Sequence, residues 1–244
     1  FFDQQINFAS RDPKILVDLH KMTEGHLDAT IMVAYLEQQG LTDEDLLTAT
    51  AKADRILNEI EVMVAKSSQF VNIAYTPTDL YRLKAERKKA IMLGIENGYA
   101  IGKDLQNVER FRNRGVVYMT LCHNGNNQLC GSCRFNDEGL GVNAFGEEVI
   151  HEMNRVGMMV DISHAGDQTF YDALDISTKP IVASHSSSRA LCNHPRNLTD
   201  EQLKALAIKG GVAQVTLYNG FLKEEGQATI QDAIAHLNHM VDVM

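Results

Sequence analysis

The feature that most limits how this chain can fold is a series of short apolar segments that alternate with longer segments of helical periodicity. The apolar segments are nearly continuous, which is the pattern of strands that are buried on both faces. Parallel strands need connections of a dozen or more residues, usually a helix, and the intervening segments are long enough. The segments predicted as strands are 29–36, 89–96, 116–123, 157–164, 180–185 and 210–218. The sequence therefore predicts an α/β fold with a parallel sheet.

The segments between the predicted strands carry helix start and stop signals. Thr42 precedes residues 43–65, whose first turn is acidic. Thr199 and Gln202 form a capping-box pattern before a helix that ends at Gly210. Further helices are predicted at 144–156 and 167–176. Each predicted helix thus separates two predicted strands, as in a βαβ unit.

No linker, low-complexity tract or break in composition divides the chain, so we predict a single domain over residues 1–244. A TIM-like (β/α)8 barrel has eight strands, and about six of them are recognisable here. An open, doubly wound sheet also fits six strands, but its nucleotide-binding form needs a glycine-rich turn after the first strand, which this sequence lacks. We therefore expect an α/β fold of the TIM-like (β/α)8 barrel type, with about six of the eight strands present.

The overall composition excludes several classes of protein. The net charge of −9 argues against a protein that binds nucleic acid, because phosphate contacts need clustered lysine and arginine. No apolar run reaches the roughly 18 residues of a transmembrane segment, and the absence of a GxSxG motif argues against a serine hydrolase.

For the CxxC pair Cys130 and Cys133 we expect a local disulfide or free thiols rather than a metal site. We expect a soluble protein; its compartment (cytoplasmic, periplasmic or secreted) and the formation of a homodimer stay open.

Titratable side chains follow four consecutive predicted strands, at the point where each apolar run stops. They are Glu96, His123, His164 and His185. The carboxyl ends of the strands of a parallel barrel form one face, where functional groups gather. Imidazoles and a carboxylate suit Zn²⁺ or a similar divalent ion, so we predict a metal site at this face, although a single such histidine is more often structural. The Gly/Asn-rich segment 124–143 lies where a barrel enzyme carries a loop that covers the substrate.

Other polar residues raise separate possibilities. His26 and Asp28 form an HxD pattern, but they precede a predicted strand and so belong to the opposite end of the barrel. Asp161 is either a carboxylate that orients a ligand or simply a buried, hydrogen-bonded residue, and both readings stay open. Arg196 is predicted to hold a substrate carboxylate, with a surface arginine as the alternative. Surface or packing positions are expected for His20, His151, His236 and His239, whereas His194 is undecided.

Four longer motifs combine the strand-end residues with their neighbours. They are GIENG (94–98), YMTLCHN (118–124), GLGVNAFGEEVIHEMNRVGMMVDISH (139–164) and PIVASHSSSRALCNHPRNL (180–198). In this order and spacing they resemble the renal or membrane dipeptidases, zinc-dependent metallopeptidases of the wider amidohydrolase group. The resemblance extends from about residue 89 to about residue 240, and residues 12–40 resemble the first crossover helix and second strand of that fold.

The resemblance implies a role for each matching residue. Glu96 would be the carboxylate that bridges two zinc ions, and His164 and His185 would complete one of the two zinc sites. His123 would help to stabilise the oxyanion of the tetrahedral intermediate, and Arg196 would orient the substrate. The implied reaction is the hydrolysis of a dipeptide by a metal-activated water.

The sequence also departs from the family pattern. The family carries an HxD pair on its first barrel strand and an aspartate on its last strand, and His26 and Asp28 do not correspond to that pair. We therefore expect a fragment of a longer dipeptidase that lacks the first and eighth strands and keeps one complete metal site. Two alternatives stay open: another amidohydrolase-type reaction, such as hydrolysis of a lactone or a D-amino-acid amide, and a non-catalytic barrel that keeps one metal or ligand pocket.

Overall fold

Over residues 7–244, which the computed structural model describes, the chain forms a parallel sheet of seven strands. The strands are β1 (Ala29–Tyr35), β2 (Val71–Ile73), β3 (Lys89–Glu96), β4 (Val116–Thr120), β5 (Met159–Asp161), β6 (Val182–Ala183) and β7 (Val212–Ala213). Six of them follow the order β1-β3-β4-β5-β6-β7, and β2 pairs with residues 89–91 of β3. Side chains from β1, β3 and β4 line one concave cavity together with Ser184 and Gln214, so the sheet forms a half-barrel. The predicted α/β class, with about six strands of a TIM-like barrel, is confirmed.

All six predicted strands are present, but most are shorter than the apolar runs that predict them. β3 keeps its predicted bounds, whereas β5 covers only three residues of the run 157–164. The chain leaves the ladder after Asp161 because that side chain accepts the backbone N–H groups of Ser163 and Ser184, at 3.1 and 2.9 Å. The sequence does not predict β2, since residues 71–73 form a three-residue strand with one fully buried side chain.

Helices connect the strands, and over the described range the α-helices are nine. They are α1 (Leu19–Glu24), α2 (Asp43–Lys66), α3 (Pro77–Ala85), α4 (Gln106–Arg114), α5 (Ala144–Val156), α6 (Asp167–Ile176), α7 (Asp200–Ile208), α8 (Asn219–Leu222) and α9 (Ile230–Val243), with 3-10 turns at Gly98–Ile101 and Cys133–Glu138. Thr199 caps α7 in the predicted capping box, and Thr42, the predicted start of α2, also forms one. None of these helices combines the length and apolar character that a membrane span requires.

The core lies between the sheet and the helices that cover its outer face. Successive side chains of a strand point to opposite faces, and Ile91, Leu93 and Ile95 of β3 all point outward and are fully buried. They share one apolar cluster with Phe111 of α4. The alternate side chains of β3 face the concave side, and Glu96 is the last of them. The alternation that builds the core therefore also places this carboxylate at the mouth of the half-barrel.

Gly98 follows β3 at a place where the backbone of the next strand passes very close. A Cβ atom at this position would lie 2.8 Å from the carbonyl oxygen of Leu121 and 2.5 Å from Cδ1 of Leu129. Because a backbone carbonyl cannot move aside cheaply, Gly98→Ala is expected to lower the free energy of unfolding by roughly 1–3 kcal/mol, measured by urea denaturation. Gly220→Ala is the control, since its new Cβ would meet only the ring of Tyr218, at 3.4 Å. Equal destabilisation by the two substitutions would contradict this explanation.

Candidate metal centre

Three histidine side chains approach a single carboxylate oxygen at the carboxyl end of the sheet. Glu96 is the last residue of β3, and His123, His164 and His185 lie just beyond β4, β5 and β6. The Nε2 atoms of these histidines are 3.6, 3.4 and 3.5 Å, respectively, from Oε1 of Glu96. The structure thus brings together all four residues that the strand ends of the sequence suggest.

Two residues at this edge have a backbone conformation that residues other than glycine rarely adopt. Asn97 has φ of 95° and His164 has φ of 71°. Such conformations cost on the order of 1–3 kcal/mol and persist where the surroundings hold them. The Asn97 side chain donates to the carbonyl of Leu36 (3.1 Å) and accepts from Nδ2 of Asn127 (2.9 Å), while the carbonyl of His164 accepts from the N–H of Cys133 (2.8 Å). These contacts hold the two turns that aim the carboxylate and the imidazole into the site.

A hydrogen bond on one ring nitrogen of His164 determines that the other, Nε2, is an acceptor that faces Glu96 and His185. Nδ1 of His164 lies 2.9 Å from Oδ1 of Asn124, an amide oxygen that can only accept, so Nδ1 carries the hydrogen. A neutral imidazole has one N–H, and Nε2 therefore presents a lone pair. This Nε2 is 3.0 Å from Nε2 of His185. The sequence assigns no role to Asn124, although it lies directly after His123 and ends the motif YMTLCHN (118–124).

Burial controls the charges of the site. It lowers the pKa of His164 to about 3 and lowers the pKa of His123 below its usual range, because a charged ring is poorly solvated there. Burial alone would raise the pKa of the Glu96 carboxyl, but the adjacent rings of His164 and His185 outweigh it and hold that pKa below its ordinary value. Neutral imidazole and ionised carboxylate are the forms in which these side chains bind a divalent cation.

Glu96, His164 and His185 form a set of donor atoms that fits a metal ion. Each offers one ligand atom, and these three atoms lie within 4.8 Å of one another. Ligands at about 2.0–2.2 Å from a tetrahedral zinc ion are roughly 3.3–3.6 Å apart. The separations from Oε1 of Glu96 to the two ring nitrogens, 3.4 and 3.5 Å, match that spacing. Two imidazoles and one carboxylate are also chemically suited to Zn²⁺.

Arg196 forms part of the wall of a cleft of about 700 Å³ that opens beside these three residues. Only 5% of Arg196 is exposed, and its Nη2 donates to the carbonyl of His185 at 3.2 Å. Its Nε and Nη1 are buried without a hydrogen-bond partner among the described residues. Burial lowers the pKa of the guanidinium because its charge is poorly solvated. Unpartnered, buried N–H donors of this kind are suited to binding an anion.

Aromatic rings complete the cleft wall beside Arg196. The ring of Phe221 lies 4.5 Å from the ring of His194 and 4.7 Å from that of Tyr218, and Cζ of Arg196 is 5.3 Å from its centroid. His194, which the sequence leaves undecided, thus belongs to the cleft. The strand-end pattern of the sequence does not identify Tyr218 and Phe221, because no histidine or carboxylate lies within residues 214–222.

The remaining candidates lie away from the cleft or support it from outside. His26 and Asp28 precede β1, and Asp28 pairs with Lys84 at 2.8 Å. His236 is a packing residue, since it is buried and its Nδ1 accepts from the backbone N–H of Ser188 at 3.0 Å. The other helix-borne histidines lie on α1, α5 and α9, and they are His20, His151 and His239. Cys122, Cys130, Cys133 and Cys192 are free thiols.

The middle of the segment 124–143 is packed into the protein, whereas most of residues 134–143 are exposed. Residues 129–133 are all buried. The hydroxyl of Ser132 donates to the carbonyl of His123 at 2.5 Å and contacts that of His164 at 3.3 Å. This part of the segment therefore supports the site histidines through their backbone, while Asn124 and Arg134 line the cleft. A loop that covers the substrate stays a prediction.

Histidines and a carboxylate at the carboxyl ends of parallel strands, beside a cleft, are the arrangement found in metal-dependent hydrolases with a β/α-barrel fold. Comparison with known sequences agrees and is more specific. The chain belongs to the membrane dipeptidase family, peptidase family M19, which it matches over residues 2–244.

Individual relatives show the same relationship. An uncharacterised dipeptidase of Schizosaccharomyces pombe is 35% identical over 93% of this chain and 57% of its own length. Dipeptidase 3 of Rattus norvegicus is 29% identical over 93% of this chain and 46% of its own. The crystal structure of an amidohydrolase from Pseudomonas aeruginosa superposes with a TM-score of 0.84 at 28% identity, covering 96% of this chain and 68% of that one. The chain thus spans about half the length of the curated relatives it matches.

Proposed function

We propose that the protein is a zinc-dependent dipeptidase, a metallopeptidase that hydrolyses the peptide bond of dipeptides. The observation that carries this proposal is the presence, in one cleft, of three side chains that could hold a metal ion and of the guanidinium of Arg196, whose Nε and Nη1 have no hydrogen-bond partner among the described residues. A dipeptide presents a scissile carbonyl and a free carboxylate one residue apart, so its recognition requires both features close together. Membership of the membrane dipeptidase family supports the same reaction.

Each residue of the cleft has a distinct role in this proposal. Glu96, His164 and His185 hold a zinc ion, which when bound polarises the scissile carbonyl and lowers the pKa of a water molecule. His123, whose ring is kept neutral by burial, donates a hydrogen bond to the carbonyl oxygen as negative charge develops on it. Arg196, which lines the cleft, pairs with the substrate carboxylate and so fixes its distance to the scissile bond.

We further propose that Glu96 bridges two zinc ions in the complete centre, as the family resemblance implies, and that this chain holds all the ligands of one site. The expected result of elemental analysis is about one zinc ion per chain in the wild type and none in His164→Ala/His185→Ala. Zinc in neither protein, even after loading with zinc salt, would refute the metal centre. A circular dichroism spectrum shared by both proteins would show that the double variant has folded.

A panel of substrates tests the reaction itself. Dipeptides with a free carboxylate, of both L-L and L-D configuration, are expected to be hydrolysed. Dipeptide amides lack the negative charge that pairs with Arg196 and are expected to react poorly. Preferential turnover of lactones or D-amino-acid amides would favour another amidohydrolase-type activity. Zinc retention without turnover of any of these compounds would favour a non-catalytic ligand-binding barrel.

A further inference from the structure

Asp161, at the end of β5, is fully buried and surrounded by hydrogen-bond donors. Its Oδ1 accepts the backbone N–H groups of Ser163 and Ser184, at 3.1 and 2.9 Å. Its Oδ2 accepts the hydroxyl groups of Thr120 and Ser184, both at 2.6 Å. Four donors occupy the four lone-pair positions of the carboxylate, so Asp161 acts only as an acceptor. The hydroxyl hydrogen of Ser184 is therefore directed to Asp161.

This arrangement determines which nitrogen of His185 carries a hydrogen. Oγ of Ser184 also lies 2.7 Å from Nδ1 of His185. A serine hydroxyl has one hydrogen, and Asp161 receives it, so Nδ1 of His185 must be the donor in the contact with Ser184. A neutral imidazole has one N–H, and Nε2 of His185 is consequently a lone pair.

The lone pair of His185 faces the proposed metal centre. Nε2 of His185 lies 3.0 Å from Nε2 of His164 and 3.5 Å from Oε1 of Glu96. Without the serine contact, His185 would be free to place its hydrogen on Nε2 and donate it to His164 or Glu96. The three side chains would then satisfy one another, and the nitrogen would be lost as a ligand.

We propose that Asp161 and Ser184 are positioning residues, which hold His185 in the tautomer that presents Nε2 to the metal. The inference rests on the proposed metal centre for its function, but the tautomer itself is a property of the metal-free protein. Ring nitrogens opposite a metal usually donate directly to a carboxylate, a carbonyl or water. Here a serine hydroxyl stands between the histidine and the carboxylate.

The substitution Asp161→Asn reverses the direction of the hydrogen bonds from residue 161 through Ser184 to His185, with little change in the shape of the side chain. The amide oxygen can still accept both backbone N–H groups, while the amide nitrogen donates to Oγ of Ser184. The serine hydrogen then points at Nδ1 of His185, which requires the hydrogen of the ring to move to Nε2. Ser184→Ala removes the link, and Ser184→Thr restores a hydroxyl. Thr120→Val is the matched control, because it also removes a hydroxyl donor from Oδ2 of Asp161 but does not touch His185.

The tautomer is measured by ¹⁵N NMR of the histidine rings in metal-free protein at about pH 8, above the ordinary histidine pKa of about 6.5. The signal of His185 is assigned by its absence in His185→Gln. We expect hydrogen on Nδ1 in the wild type and in Thr120→Val, and hydrogen on Nε2 in Asp161→Asn. Hydrogen on Nε2 in the wild type would overturn the proposal.

Zinc affinity, measured by competition with a chelator, provides the second readout. We expect a loss of about 10–100-fold in Asp161→Asn, a smaller loss in Ser184→Ala that Ser184→Thr reverses, and wild-type affinity within about threefold in Thr120→Val. Equal affinity in the wild type, Asp161→Asn and Ser184→Ala would overturn the positioning role. If Asp161→Asn does not fold, the zinc affinities of Ser184→Ala and Ser184→Thr decide whether the serine hydroxyl positions His185. A wild type that binds no zinc would refute the proposed function and the positioning role together, whereas the NMR result alone decides the tautomer.

Discussion

Replacing Glu96 with glutamine is expected to abolish zinc retention. The loss of zinc affinity should exceed about 10–100-fold, the loss that is typical when a residue that hydrogen-bonds to a metal ligand is replaced. Oε1 of Glu96 is the atom that all three site histidines approach, at 3.4 to 3.6 Å. Glutamine has the same shape but no negative charge, and its amide N–H groups can donate to the ring nitrogens that would otherwise bind the ion. Competition with a chelator of known zinc affinity measures the loss, and elemental analysis confirms it.

Glu37→Gln is the matched control for this experiment. It makes the same chemical change at an exposed carboxylate that follows β1, at the same end of the sheet. Its zinc affinity is expected to stay within about threefold of that of the wild type, since an exposed charge contributes little. Full zinc retention by Glu96→Gln would show that the carboxylate is not a ligand, and the assignment of the three metal-binding residues would then fail.

The substitution Arg196→Met is expected to have opposite effects on substrate binding and on stability. Hydrogen bonds to a charged group contribute about 1.5–3 kcal/mol, so KM for dipeptides should rise about 10–150-fold when the guanidinium is lost. The same change removes a buried charge whose Nε and Nη1 have no partner in the described structure. Replacing such a group by an apolar side chain of similar length relieves its desolvation, so the melting temperature of the substrate-free protein should rise.

Two comparisons make this prediction specific. Dipeptide amides lack the carboxylate, and any residual turnover of them should be nearly unaffected by Arg196→Met. Arg189→Met, in the same loop, should lower the melting temperature, because Arg189 is paired with both oxygens of Asp167 at 2.9 and 3.1 Å. Steady-state kinetics and thermal unfolding provide the two readouts. An unchanged KM for free dipeptides in Arg196→Met would exclude a role of this arginine in binding the carboxylate.

The fold was largely predictable because its signals are local. The apolar run 89–96 coincides with β3, and the predicted helices 144–156 and 167–176 coincide with α5 and α6. Prediction failed where a strand depends on its partner rather than on its own residues. β2 has three residues and forms by pairing with β3, so nothing in its own composition distinguishes it from a loop.

The site was predictable only in its residue types. The strand ends identified Glu96, His123, His164 and His185, since the residues that follow buried strands in a parallel barrel share one face. The same reasoning could not identify Asn124 or Ser184. Both are small polar residues beside a histidine, and their importance arises from contacts with His164 and with the pair Asp161 and His185.

The alternation of strands and helices, the half-barrel they form and the kind of ligands at its mouth are encoded in short stretches of sequence, because apolar periodicity and capping act over a few neighbouring residues. The chemical state of the site is decided only by the folded chain. The lone pairs on Nε2 of His164 and His185 depend on atoms from different strands and loops that meet only in three dimensions. The same is true of Nε and Nη1 of Arg196, which have no hydrogen-bond partner within residues 7–244. Hydrogen bonds and burial act over ångströms, and sequence spacing does not report such distances.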